Sequence, residues 1–134
     1  MIELKSELSK VGSVHLKFSK DIEDFIECRQ PQKDIEEVFR KLIQETERLS
    51  NKVSKKIKKT TVSYKTKIQF IGIELQKSRI RLHLTVSEKP KEKDAEFIRK
   101  VYSNRFHCHL LVRNLAEAES AMEIIKKAYE ESLH

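Results

Sequence analysis

The sequence predicts an α+β domain: an antiparallel four-stranded sheet, a meander followed by a later strand, with helices packed on one face. Three observations carry the prediction. From Arg79 to Val86 the chain alternates, with Ile80, Leu82, Leu84 and Val86 facing one way and Arg79, Arg81, His83 and Thr85 the other. Ile35, Val38, Phe39, Leu42 and Leu49 recur at helical spacing. Leu115, Ala118, Ala121, Met122, Ile125, Ala128 and Tyr129 do the same near the C-terminus. At 134 residues the chain is long enough for one domain that buries roughly two-thirds of its unfolded surface.

Residues 1–30 read as an N-terminal extension without one dominant pattern, ahead of a single domain at 34–131. In the extension Leu4, Leu8 and Val11 have helical spacing up to Gly12, and Val14, Leu16 and Phe18 alternate as in a short strand. Ser19 can cap a short helix carrying Ile22, Phe25 and Ile26, and Pro31 marks a break. Asp34 and Glu37 have capping-box spacing and open a helix of about four turns that ends near Asn51. The meander strands are Thr61–Thr66, Gln69–Gln76 and Arg79–Val86.

With Lys77 and Ser78 at the tip, Leu75 faces Ile80, Ile73 faces Leu82, Ile71 faces Leu84, and Glu74 falls opposite Arg81. Phe70 breaks the alternation, either as a bulge beside Gly72 or as an exposed aromatic. Glu88–Asp94 is a charged connection around Pro90, and Ala95–Tyr102 has the spacing of a short helix through Phe97, Ile98 and Val101. Phe106, Cys108, Leu110 and Val112 alternate with His107, His109 and Arg113 as a fourth strand, after which Asn114 and Glu117 cap the last helix.

Charge singles out one region. Ten of the 28 lysines and arginines, but only one of the 21 acidic residues, fall between Lys52 and His83, so this stretch carries +9 and the rest of the chain −2. A hairpin bearing Lys55, Lys56, Lys58, Lys59, Lys65, Lys67, Lys77, Arg79, Arg81 and His83 suits a nucleic-acid backbone, DNA or RNA, because cations held on a rigid sheet gain affinity through counterion release. The alternatives are an acidic protein partner or homo-oligomer contact, and a plain solvated surface that guards sheet edges. Tyr64 and Phe70 can stack on bases, but the alternation of Tyr64 with Val62 points to core packing.

His83, His107 and His109 all point away from the apolar face, and neighbouring strands would bring them together as metal ligands. Without a carboxylate or thiolate on that face the expected role is surface or nucleic-acid contact, with no metal. Cys108 points inward, away from its histidine neighbours. The acid pairs Glu36/Glu37, Asp94/Glu96 and Glu117/Glu119 fall at expected helix starts, where negative charge is favoured. No P-loop, nucleophile elbow, zinc-protease helix or dinucleotide fingerprint occurs, so no cofactor is expected and a catalytic role ranks below a binding one. No apolar run reaches membrane-spanning length and no signal-peptide core opens the chain, which predicts a cytoplasmic protein with no membrane partner. Cys28 and Cys108 then read as two reduced, largely buried thiols.

The residues Tyr64 and Lys65 of YKT, the QKSRIRL run from Gln76 to Leu82, and the segment from Ile125 to Tyr129 also carry a resemblance. Over Asp34–Glu131 the chain resembles the small C-terminal domain of modification-dependent restriction endonucleases of the ParB-like/HNH type and of nuclease-like chains labelled predicted transport proteins. The resemblance implies an accessory role beside nucleic-acid-processing enzymes, and it brings no catalytic residues. The chain departs from it where YSNRF, Tyr102 to Phe106, replaces a loop containing Gly-Asn-Gly.

Overall fold

The computed structural model describes residues 20–88, 96–102 and 105–134, with residues 96–102, 105 and 106 described by their backbone. Two helices lead, α1 (Lys20–Arg29) and α2 (Lys33–Glu47). Strands β1 (Ser54–Ile57), β2 (Thr61–Lys65), β3 (Gln69–Leu75), β4 (Ile80–Val86), β5 (Glu96–Tyr102) and β6 (Arg105–Val112) follow, and α3 (Leu115–Ser132) closes the chain. The α+β class holds, and among the described residues the sheet has six antiparallel strands in the order β1-β2-β3-β4-β6-β5 rather than the expected four.

The hairpin β3-β4 has the expected register: Ile71↔Leu84, Ile73↔Leu82, Glu74↔Arg81 and Leu75↔Ile80. Its apolar alternation is therefore one face. Val62 and Tyr64 of β2, and Cys108, Leu110 and Val112 of β6, extend that face, all buried in one core with residues of the three helices. From the helices come Ile22, Phe25 and Ile26 of α1, Ile35 to Ile43 of α2, and Ala118 to Ala128 of α3. Phe25 stacks on Phe39 at 5.7 Å between centroids, which joins α1 to α2.

Phe70 is a bulge residue. Pairing steps from Tyr64↔Ile71 to Lys65↔Gln69, leaving Phe70 extra. The extra residue turns its ring into the core, edge-on to Tyr129 at 5.5 Å. Each end of the sheet is braced by polar contacts. Gln32 N–H donates to the Lys77 carbonyl at 2.8 Å and Arg29 Nε to the Leu75 carbonyl at 3.0 Å, fixing the α1-α2 junction to the β3-β4 turn. At the other end Thr66 Oγ1 donates to Ser132 Oγ at 2.6 Å.

Several expectations change. Segment Glu96–Tyr102 is strand β5, not a helix, and pairs with β6. Its apolar spacing suits either state, but phenylalanine, isoleucine, valine and tyrosine favour an extended chain once a partner strand exists. Glu96 thus lies in a strand and not at a helix start. Strand β1 lies within the lysine run and pairs with β2. Helix α2 begins at Lys33 with Gln32 as N-cap and no side-chain capping bond, so Asp34 and Glu37 form no capping box. Asp34 instead lies in the first turn, where its charge suits the helix dipole.

The second cap is present: Asn114 Oδ1 accepts from Glu117 N–H at 2.8 Å. Leu115 is exposed, since it precedes the first buried turn of α3. Cys28 is exposed and Cys108 alone is buried, so only one of the two matches the expected burial. The expectations for Leu4 to Ser19, for Pro90 and Asp94, and for Ser103 and Asn104 fall outside the described residues.

Candidate functional site on the outer face of the sheet

The strand residues of opposite parity make a second, outer face. Cross-strand register aligns one row across it: Lys56↔Ser63, Ser63↔Gly72, Gly72↔His83 and His83↔His109. Glycine in the middle of this row leaves a gap between Ser63 and His83. That gap is the floor of a cleft of about 270 Å³ lined by Lys58, Thr60, Thr61, Ser63, Gln69, Gly72, Glu74, His83 and His107. A neighbouring cleft of about 410 Å³ is lined by Ser54, Lys55, Lys56, Lys58, Ser63, Tyr64, Lys65 and Gln69. Lys58, Ser63 and Gln69 border both, so the two form one trough from the β1 edge to the histidines.

The ten residues expected to form a basic patch do not all meet. Lys56, Lys58 and Lys65 are exposed and line the trough. Lys55 lies opposite Tyr64, and its Nζ is 3.4 Å from Glu47 Oε2. The same Glu47 oxygen accepts from the Tyr64 hydroxyl at 2.6 Å. Burial, then the bond to Glu47 and its charge, push the Tyr64 hydroxyl far above its ordinary pKa. Tyr64 is thus a core residue with an anchored hydroxyl.

Lys59, Lys67 and Lys77 are exposed in three different turns. The turns carrying Lys67 and Lys77 lie at opposite ends of the seven-residue β3, about 20 Å apart at about 3.3 Å per residue. Arg79 Nε donates to Gln76 Oε1 at 2.7 Å, and Arg81 stands 4.0 Å from Glu74.

The histidines come together because β6, not β5, lies beside β4. His83 Nδ1 is 3.3 Å from His107 Nε2. Ring centroids are 4.3 Å apart for His83 and His109, and 5.2 Å apart for His107 and His109. All three rings are half-buried, with one ligating nitrogen from each within 4.8 Å of the others. A carboxylate does share this face, contrary to expectation: Glu74 Oε1 lies 2.8 Å from His83 Nε2. Gln76 Nε2 donates to the other Glu74 oxygen at 2.8 Å. Burial opposes ionisation of Glu74, but the bonds from Gln76 and His83 and the charges of His83 and Arg81 outweigh it and hold the carboxyl below its ordinary pKa.

Sequence reasoning missed Gly72, Ser63 and Gln69 as trough residues and Glu74 as the partner of His83. A glycine inside a strand is a recognised sign of close approach or a gap, and it was the available signal. Chemically the trough offers ammonium groups for anions at one end, and at the other imidazole nitrogens that bind protons or metal ions.

Neither a comparison with curated proteins nor one with solved structures returns a match. A family model, the domain of unknown function DUF5655, matches residues 22–132. That span takes in all three helices and the whole sheet except the first two residues of α1. The chain belongs to the DUF5655 family.

Proposed function

We propose that the protein is an accessory module that binds nucleic-acid backbone along the outer-face trough. The observation that carries this reading is the trough lined by exposed Lys56, Lys58 and Lys65, within the stretch that holds the chain's whole positive excess. Ammonium groups spaced along a rigid strand pair meet successive phosphates without reading bases. Ser63 and Gln69 add hydrogen-bonding groups in the same trough. The setting, beside restriction or defence nucleases, follows from the resemblance of the YKT and QKSRIRL segments. Compared with the full ten-residue patch, the proposed contact set is narrower and leaves out Lys55, Lys59, Lys67, Lys77, Arg79, Arg81 and His83.

The test is anisotropy of labelled duplex and single-stranded DNA and RNA across a salt series. Three phosphate contacts give a log–log slope of about −2.7 on duplex DNA and about −2.1 on single strands. The variant Lys56→Glu/Lys58→Glu/Lys65→Glu should lose binding with its circular dichroism unchanged, and Lys77→Glu should retain it. Binding that survives the triple change, or that ignores salt, sinks the reading. A failure to bind any nucleic acid at low salt would instead favour an acidic protein partner.

A further inference from the structure

We propose that His83, His107 and His109 form a binding site for a divalent transition-metal ion of the zinc class, with Glu74 orienting His83. The site rests on its own geometry and does not depend on the nucleic-acid reading.

Metal–imidazole bonds of about 2.0–2.1 Å around a tetrahedral ion place neighbouring ligand nitrogens about 3.3 Å apart. The His83 Nδ1 to His107 Nε2 separation is 3.3 Å. The nitrogen of His109 lies within 4.8 Å of the other two, so a small ring rotation completes a triangular set. Three β-sheet positions fix it: His83 and His109 are register partners, and His107 is two residues from His109 on the same face. Such a frame costs little reorganisation when the ion arrives.

The partner of His83 decides the tautomer. Glu74 Oε1 at 2.8 Å accepts the Nε2 proton and turns the Nδ1 lone pair toward His107. A carboxylate behind a ligating imidazole is the usual support of such sites, and it raises the basicity of the ligand nitrogen. Without metal, His107 Nε2–H donates to His83 Nδ1. On binding, that proton moves to Nδ1 of His107 through solvent, and both facing nitrogens become ligands. The Glu74 charge offsets part of the ion's charge. Three imidazoles without a thiolate suit zinc, cobalt, nickel or copper more than magnesium or calcium. A fourth position would face the cleft over Gly72, where Lys58 favours an anionic ligand such as hydroxide or a phosphate oxygen.

Titration of untagged protein with Co²⁺ is the test. Tetrahedral coordination gives intense visible d–d bands, which a single equivalent should saturate and Zn²⁺ should bleach. His83→Ala and His109→Gln should abolish the bands, and Glu74→Gln should weaken affinity by about 10–100-fold. Far-UV circular dichroism establishes that each variant is folded, and saturating Zn²⁺ should raise the melting temperature of the native chain but not of His109→Gln. The proposal is overturned if Co²⁺ keeps the weak spectrum of its aquo ion. It is equally overturned if binding persists in folded His109→Gln or is lost only when His134, an exposed histidine beyond α3, is replaced.

Discussion

Thr46 has a buried hydroxyl without a hydrogen-bond partner among the described residues. It sits in α2, fully enclosed by the core that Phe39, Leu42 and Ile43 build. An unpaired hydroxyl in such a place opposes folding, while a methyl of the same shape does not. Thr46→Val should therefore raise stability by about 1 kcal/mol, measured by urea denaturation. A loss of stability would mean that the hydroxyl has a partner after all. The histidine triad shows the opposite principle, since Glu74 satisfies His83 and is itself satisfied by Gln76.

At the scale of the element, α3 depends on how it starts. Asn114 caps it, and the Glu117 carboxylate reaches back to Arg113, accepting from its backbone N–H at 2.8 Å and its guanidinium at 3.0 Å. The Arg113 side-chain bond, opposed by burial and aided by the backbone bond and the charge, lowers the Glu117 pKa from 4.5. A carboxyl whose folded pKa is depressed stabilises above its unfolded pKa, and that contribution fades as pH falls through the folded value. Glu117→Gln should thus melt below the native chain near neutral pH. The gap should close as pH drops below about 4, the range of an unperturbed glutamate. A gap independent of pH would assign the effect to packing instead.

Elements also differ in how much of them was legible beforehand. The β3-β4 register could be read because the short tip at Lys77 and Ser78 fixes the pairing, and period-2 alternation agrees with it by burying Ile71, Ile73 and Leu75 together. Strand β1 could not, since SKKI has almost no apolar signal and is strand only because β2 offers an unpaired edge. Strand β5 was hidden by apolar spacing that suits a helix equally well. The trough and the histidine cluster depend on long-range order: His83 and His107 are 24 residues apart and meet only because the chain crosses beyond β6 before returning. No local pattern encodes that crossover.

For the whole molecule, one sheet separates two environments. One face is an apolar core shared with all three helices, and the other holds polar and titratable groups in aligned rows. No helix among the described residues is long and apolar enough to cross a membrane. This division lets the outer face vary without disturbing the core. Gly72 gives the cleanest case. A β-carbon there would stand 3.5 Å from Gln69 Nε2 and His83 Cβ and 3.8 Å from Thr61 Cγ2, ordinary contact distances. Gly72→Ala should leave the melting temperature unchanged or slightly higher, by the entropy that alanine saves in the unfolded chain. A marked fall in melting temperature would show that the backbone needs glycine for another reason.

The lone hydrogen of Gly72 thus gives this protein a natural vacancy in an otherwise tiled surface. One added methyl would narrow that berth while the walls stay upright, so a phosphate of the proposed ligand would lose room in a molecule still wholly native. Loss of occupancy without loss of structure is the signature that separates a receptor from mere scaffolding.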